Sequence, residues 1–366
     1  MTREEIQAEA LRATVGVKSA GLGLATGVGK TLVGLSYLKR EMTPLKTALI
    51  VAPSRSIFTT WNTEAVKFKM QGVMTNVRFS TYLSLNKHDP LEYDVVILDE
   101  CHSLKYSHHK FLDEFCGKIL GLTGTPPKDT RSEKGKMVHE FCPIVYEYLT
   151  DDAVGDSILN DYKIIVHELQ LDTDNTIPVT AKGKTFYTSE KKNYDYWTGR
   201  LENASSPKEL QMLRVMRMRA LMSFVSKEKY TKLLADSIKT KCLIFANTQE
   251  QADKLCTHTY HSNNPNSKDN LNDFKAGKIN KLSCVMQLSE GVNIPELRQS
   301  IIMHAYGNER KSAQRIGRCL RLSPNETAVI HILCYMGTVD ETWVKGALEG
   351  FSDEKIIWKN YNIKLN

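Results

Sequence analysis

Gly21-Leu-Gly-Leu-Ala25-Thr26-Gly27-Val28-Gly29-Lys30-Thr31-Leu-Val-Gly-Leu-Ser-Tyr-Leu38 is the stretch on which the fold turns. An apolar run, a glycine-rich loop and a helical pattern follow one another, which is the context a phosphate-binding loop requires. The general spacing GxxxxGK[ST] begins here at Leu24, so the strict pattern is not met. What remains is Thr26-Gly27-Val28-Gly29-Lys30-Thr31. Gly27 and Gly29 free the backbone to turn N–H groups onto phosphate oxygens. The helix that follows presents its positive end to the same anion. Lys30 is placed to reach the β and γ phosphates, and the Thr31 hydroxyl to help hold Mg²⁺. A flexible glycine-rich turn is the plain alternative, and Lys30-Thr31 at this spacing argues against it.

Working outward, Asp94-Val-Val-Ile-Leu-Asp99-Glu100-Cys101-His102 reads as a buried strand ending in two acids. Asp99 suits Mg²⁺, and Glu100 suits general-base work on an attacking water. Similar apolar runs at Thr47–Ala52 and Lys118–Thr123 alternate with helical patterns. A second series follows at Cys242–Ala246, Ser283–Met286, Ser300–Met303 and Ala328–Ile332. Continuous apolar runs of this kind fit parallel strands covered on both faces. The fold class is therefore α/β, with an ATP-binding domain over 1–149 and a second domain over 236–366. Residues 150–235 read as a mostly helical, basic connector, with 10 Lys or Arg against 5 Asp or Glu over 190–232.

The chain has 366 residues, a net charge of +7 and 8 cysteines without a CxxC pair. The charge mildly favours a polyanionic partner. The cysteines sit in apolar runs and suit a reducing, cytosol-like compartment. No signal peptide or membrane-spanning run is found. Cys256-x-His258-x-x-His261 lacks a fourth ligand at zinc-like spacing, and no nucleophile elbow of a serine or cysteine hydrolase occurs. In Leu210–Met222 the apolar residues follow a helical period, with Arg214, Arg217 and Arg219 solvated.

Asp99-Glu100-Cys101-His102 resembles motif II of the superfamily 2 helicases, in the DExH branch. The loop at Lys30 resembles motif I of that superfamily, which tolerates loss of the first glycine. Gly121-Leu-Thr-Gly-Thr-Pro-Pro127 resembles motif III, which couples the ATP and nucleic-acid sites. Val51-Ala-Pro53-Ser54-Arg55 resembles motif Ia, and Phe79-Ser-Thr81-Tyr82 resembles motif Ib; in the family these contact the tracked strand. Gln7 falls where relatives keep an adenine-reading glutamine. Leu243–Asn247-Thr248 resembles motif IV, and His261 falls at a further backbone contact.

Ser289-Glu-Gly291-Val-Asn293-Ile-Pro295 resembles motif V, with Asn293 where the family usually has Asp. Gln314-Arg315-Ile-Gly317-Arg318-Cys-Leu-Arg321 resembles motif VI. Arg318 and Arg321 are one helical turn apart and suit charge developing on a transferred phosphoryl group. The resemblance implies two RecA-like parallel-sheet domains, ATP and Mg²⁺ as cofactors, and a monomeric DNA helicase or translocase. The resemblance extends to compact phage helicases of branched DNA and to Swi2/Snf2-type translocases. Unlike the fuller phage relatives, the chain is expected to carry no extra DNA-binding domain before Gln7. Roles in DNA replication, recombination or repair are expected, with a cytoplasmic location, the host cytoplasm if the chain is phage-encoded. DNA is preferred to RNA. A duplex translocase without unwinding, an ATP-gated nucleic-acid clamp with little turnover and an RNA helicase stay open.

Overall fold

The apolar runs become strands buried on both faces. The computed structural model describes residues 1–181, 183–285, 294–305, 326–348 and 351–361. Met1–Asp161 form the body of one compact unit, and most of the chain from Tyr162 onward forms the other.

In the first unit the strands are β1 (Ser19–Leu24), β2 (Ala48–Ala52), β3 (Val77–Thr81), β4 (Val95–Asp99), β5 (Lys118–Thr123) and β6 (Ile144–Tyr148). They form one sheet in the order β3-β2-β4-β5-β1-β6. Every neighbouring pair is parallel. All residues of β2 and β4 are buried, as expected where helices cover both faces. Parallel pairing sends every strand's C-terminal end to one edge of the sheet. In open α/β sheets that edge is where ligands bind.

Three helices of this unit matter for the site. Helix α1 (Arg3–Ala13) starts with a capping box. The Glu5 N–H donates to Thr2 Oγ1 at 3.2 Å and the Thr2 N–H to Glu5 Oε2 at 2.8 Å, satisfying two otherwise orphaned donors. Helix α2 (Lys30–Glu41) follows β1, and α3 (Ser56–Lys67) follows β2. Gly34 lets α2 and α3 close: a Cβ there would lie 2.3 Å from Trp61 Cη2. The buried Trp61 ring occupies that space.

The second unit holds β7 (Asp161–Leu169), β8 (Ile177–Ala181), β9 (Lys184–Thr188), β10 (Cys242–Phe245), β11 (Thr259–Tyr260), β12 (Lys281–Cys284), β13 (Gln299–Ile302), β14 (Thr327–Tyr335) and β15 (Ile356–Tyr361). Its large sheet runs β11-β12-β10-β13-β14-β7-β15. Pairs β11–β12, β12–β10, β10–β13, β13–β14 and β7–β15 are parallel. Strands β8 and β9 form a separate antiparallel ribbon.

The segment expected as a connector differs from that reading at both ends. Its first part stays with the first unit, where the Tyr148 hydroxyl donates to Asp156 Oδ2 at 2.9 Å and the Met1 ammonium lies 3.2 Å from Asp156 Oδ1. Its later part belongs to the second unit, because β7 enters that unit's sheet between β14 and β15. After β7 come the β8–β9 ribbon and the helices Glu190–Glu202, Pro207–Ser223 and Val225–Ser237. Ser189 and Ser206 cap the first two helices.

A buried polar knot fastens these helices to the sheet. The Lys227 ammonium pairs with Asp340, and both are buried. Lys227 also lies 4.6 Å over the Tyr335 ring. Buried Glu190 accepts from the Ser226 N–H at 2.9 Å and from the Asp172 N–H at 3.1 Å. Charges this deep persist only when paired and hydrogen-bonded.

Candidate functional site

The loop after β1 is shaped by its glycines. Gly27 has φ 99° and Gly29 φ 100°, a region side chains rarely adopt. Gly29 is the left-handed N-cap of α2, so the helix starts at Lys30. The Ala25 N–H is tied to the Tyr148 carbonyl at 2.8 Å. Gln7 on α1 donates from Nε2 to the Val28 carbonyl at 2.7 Å. A Cβ at Gly29 would fall 2.5 Å from that same Nε2. Gln7 therefore lies directly on the loop. Thr31 is half-buried in the first turn of α2.

Lys30 reaches back across the loop. Its Nζ donates to the Leu24 carbonyl at 3.3 Å and lies 3.9 Å from Glu100 Oε1. Glu100, just past the end of β4, has φ 54°. A left-handed glutamate is uncommon, and such strain collects at functional positions. The third loop, after β5, closes in as well. A Cβ at Gly124 would meet Lys30 Nζ at 3.1 Å and Thr26 Oγ1 at 3.2 Å. His102 Nδ1 is hydrogen-bonded to Thr123 Oγ1 at 2.6 Å and lies 3.4 Å from Glu100 Oε2. One ring thus joins the acidic turn to the Thr123-Gly124-Thr125 turn.

Asp99 ends β4 and is 8% exposed. Burial, reinforced by the neighbouring Glu100 charge, pushes its pKa up to about 6. The Trp61 indole N–H opposes this, donating to Asp99 Oδ2 at 2.8 Å. The Tyr82 hydroxyl donates to the Asp99 carbonyl at 3.0 Å. Trp61 has no local signal in the sequence, because its partner lies far along the chain.

The expected nucleic-acid contacts separate into two groups. Pro53, Ser54 and Arg55 follow the C-terminal end of β2, and Thr81 ends β3. Arg55 is exposed, and Ser54 Oγ is hydrogen-bonded to Ser56 Oγ at 2.7 Å. Asn247 and Thr248 follow β10; Thr248 caps the helix Gln249–Leu255, accepting from the Gln251 N–H at 3.2 Å.

Two residues stand elsewhere than expected. Tyr82 is 7% exposed, with its hydroxyl donating to the Asp99 carbonyl. His261 is 4% exposed, with Nε2 hydrogen-bonded to Asp253 Oδ1 at 2.8 Å. Their rings serve the interior. Gly291, Asn293, Gln314, Arg318 and Arg321 lie outside the described residues.

Among the described residues no group of three or more His, Cys, Asp or Glu forms a metal cluster. No described helix is long and apolar enough to cross a membrane.

Residues 1–128 match the family model "Type III restriction enzyme, res subunit", and residues 226–323 match "Helicase conserved C-terminal domain". A DNA 3'-5' translocase XPB2 from Sulfurisphaera tokodaii is 24% identical over 392 positions, covering 92% of this chain and 82% of that protein. Among solved structures, the ATP-dependent Type ISP restriction-modification enzyme LlaBIII bound to DNA superposes with a TM-score of 0.62 at 15% identity. The match covers 100% of this chain, which spans only 31% of that enzyme. S. cerevisiae Dbp5 bound to RNA and ADP BeF3 superposes with a TM-score of 0.55 at 14% identity, over 97% of this chain and 89% of that one.

Proposed function

The chain belongs to the superfamily 2 helicases, and from that premise we propose that it is an ATP-hydrolysing motor that moves along or unwinds DNA, branched DNA included. One observation carries the reading: Lys30, Glu100 and the Thr123-Gly124 turn meet at the C-terminal edge of one parallel sheet. A phosphate tail needs a cation and a cradle of N–H groups, and water attack needs a base. Thr26, Gly27, Val28, Gly29, Lys30 and Thr31 supply the first two. Glu100 takes the proton from the attacking water. Gln7 steadies the loop and reads the adenine.

The donor set fits Mg²⁺. Asp99 is a buried carboxylate in which burial and the Glu100 charge outweigh the Trp61 N–H, the Lys30 charge and a backbone hydrogen bond at Glu100, so a further positive charge beside it would favour its ionised form. Asp99 and Thr31 would hold the ion, which when bound neutralises charge on the phosphates. On motif resemblance, Gln314, Arg318 and Arg321 supply the cations for the transition state, and Gly291 and Asn293 respond to the nucleotide.

DNA is favoured over RNA because the XPB2 relative, matched along most of both chains, is named a DNA translocase. Pro53, Ser54, Arg55, Thr81, Asn247 and Thr248 are assigned to the strand. The same name supports a second reading, a duplex translocase that leaves strands paired. Action at forks in replication, recombination or repair, as a cytoplasmic monomer, completes the proposal.

The test is ATP turnover by wild type and Glu100→Gln with single-stranded, duplex and forked DNA and with RNA. DNA should stimulate the wild type, and Glu100→Gln should lose about a hundredfold or more. Equal slow hydrolysis by both proteins with nucleic acid present would sink the motor reading.

A further inference from the structure

The β8–β9 ribbon is unlike the rest of the molecule. It joins neither large sheet and gains no third strand among the described residues. A lone two-stranded ribbon is marginal in water. Its register pairs Val179 with Phe186 and Pro178 with Tyr187. Successive residues of a strand face opposite sides, so one aromatic ring stands on each face. Neither ring is covered: Phe186 is 52% exposed and Tyr187 63%. Packing does not call for two adjacent bare rings here.

The root of the ribbon is firm. Ile177 packs against the second unit's core. Just past β9, Ser189 caps the next helix, and Glu190 is fixed by Ser226 and Asp172. The ribbon is thus anchored at the Ile177–Thr188 rung, with Tyr187 one rung and Phe186 two rungs above it. Five residues per strand make it roughly 17 Å long.

Composition selects the partner. Residues 177–188 contain two lysines and no acid, and Lys184 is exposed. Exposed rings beside lysine suit nucleotide bases, since every base has a face to stack and a phosphate to neutralise. A flat platform would carry its rings on one side. This ribbon carries one on each side, the arrangement that serves two strands at once.

We propose that the β8–β9 ribbon is a strand-separating pin, with Phe186 and Tyr187 stacking the last bases of opposite strands at a fork. The inference rests on the motor reading and deepens it, because it chooses unwinding over translocation alone.

The experiment compares the full chain with a Phe186→Ala, Tyr187→Ala variant on a forked DNA carrying a fluorophore and quencher. The readout is base pairs separated per ATP hydrolysed. Alanine in place of a base-stacking ring commonly lowers affinity by about five- to a hundredfold. The variant's coupling ratio should therefore fall about tenfold or more. Phe186→Trp, Tyr187→Trp should restore it, which a loss of folding would not allow. A variant ratio equal to wild type overturns the proposal. So does a wild type that hydrolyses ATP on DNA yet leaves the fork paired. Self-association lost in the variant, with coupling intact, would assign the rings to a second copy instead and also overturn it. A wild type whose ATPase ignores DNA would fail at the earlier step, the motor reading itself.

Discussion

Asp99→Asn should make the first unit more stable while abolishing turnover. The carboxyl's pKa is raised from 3.8 to about 6 by burial and by the Glu100 charge. A carboxyl whose pKa is higher folded than unfolded favours the folded state most below pH 3.8, and that contribution is lost as pH rises through about 6. The shift is about 2 units, so at pH 8 the ionised side chain disfavours folding by about 3 kcal/mol. Asparagine keeps the oxygen that accepts from the Trp61 N–H and carries no charge. Its gain should be about 3 kcal/mol at pH 8, about half that at pH 5, and nothing near pH 3. Urea unfolding of both proteins without nucleotide, at pH 8 and pH 5, measures the difference. Turnover with Mg²⁺ and DNA should fall by about a hundredfold or more. A variant that is less stable at pH 8, or whose gain is the same at both pH values, would refute the reasoning.

Tyr82→Phe should lower stability by about 1 kcal/mol through loss of the bond to the Asp99 carbonyl. Its affinity for single-stranded DNA should match wild type in a fluorescence anisotropy titration. Lys227→Met strands buried Asp340 and should cost the second unit about 3–5 kcal/mol in urea unfolding, with Lys227→Met, Asp340→Leu recovering most of it. The second unit should also weaken in acid. Burial pushes His331 down to about 4 and, with the adjacent His331, His167 to about 3. Stability present above pH 6.5 should be lost as pH falls toward 4, a trend opposite to that of Asp99 and visible in hydrogen exchange of β7 and β14.

The loops that build the candidate site were legible because each is short and contiguous. Spacing alone places Gly27, Gly29 and Lys30 between a strand and a helix, and Asp99 and Glu100 at a strand end. What spacing does not carry is the meeting of distant segments. Trp61 reaches Asp99 across 38 residues, and its ring needs Gly34 on another helix to fit. Tyr82 sits in a motif-like tetrapeptide, yet burial turns it inward. His261 is likewise claimed by Asp253. The 150–235 segment reads as helical because its helices are long and its strands few. That β7 completes a sheet with β15, from the far end of the chain, depends on pairing no local pattern records.

The place of β5 sets a dimension for the site. It lies between β4 and β1, so the main chains bearing the acidic turn and the lysine loop stand two strand spacings apart, roughly 10 Å. Were those strands neighbours, half that gap would remain, too narrow for a hydrated ion beside a phosphate tail. Strand order therefore works as a ruler, and the spacing between the acidic turn and the lysine loop is written into the pairing of the sheet.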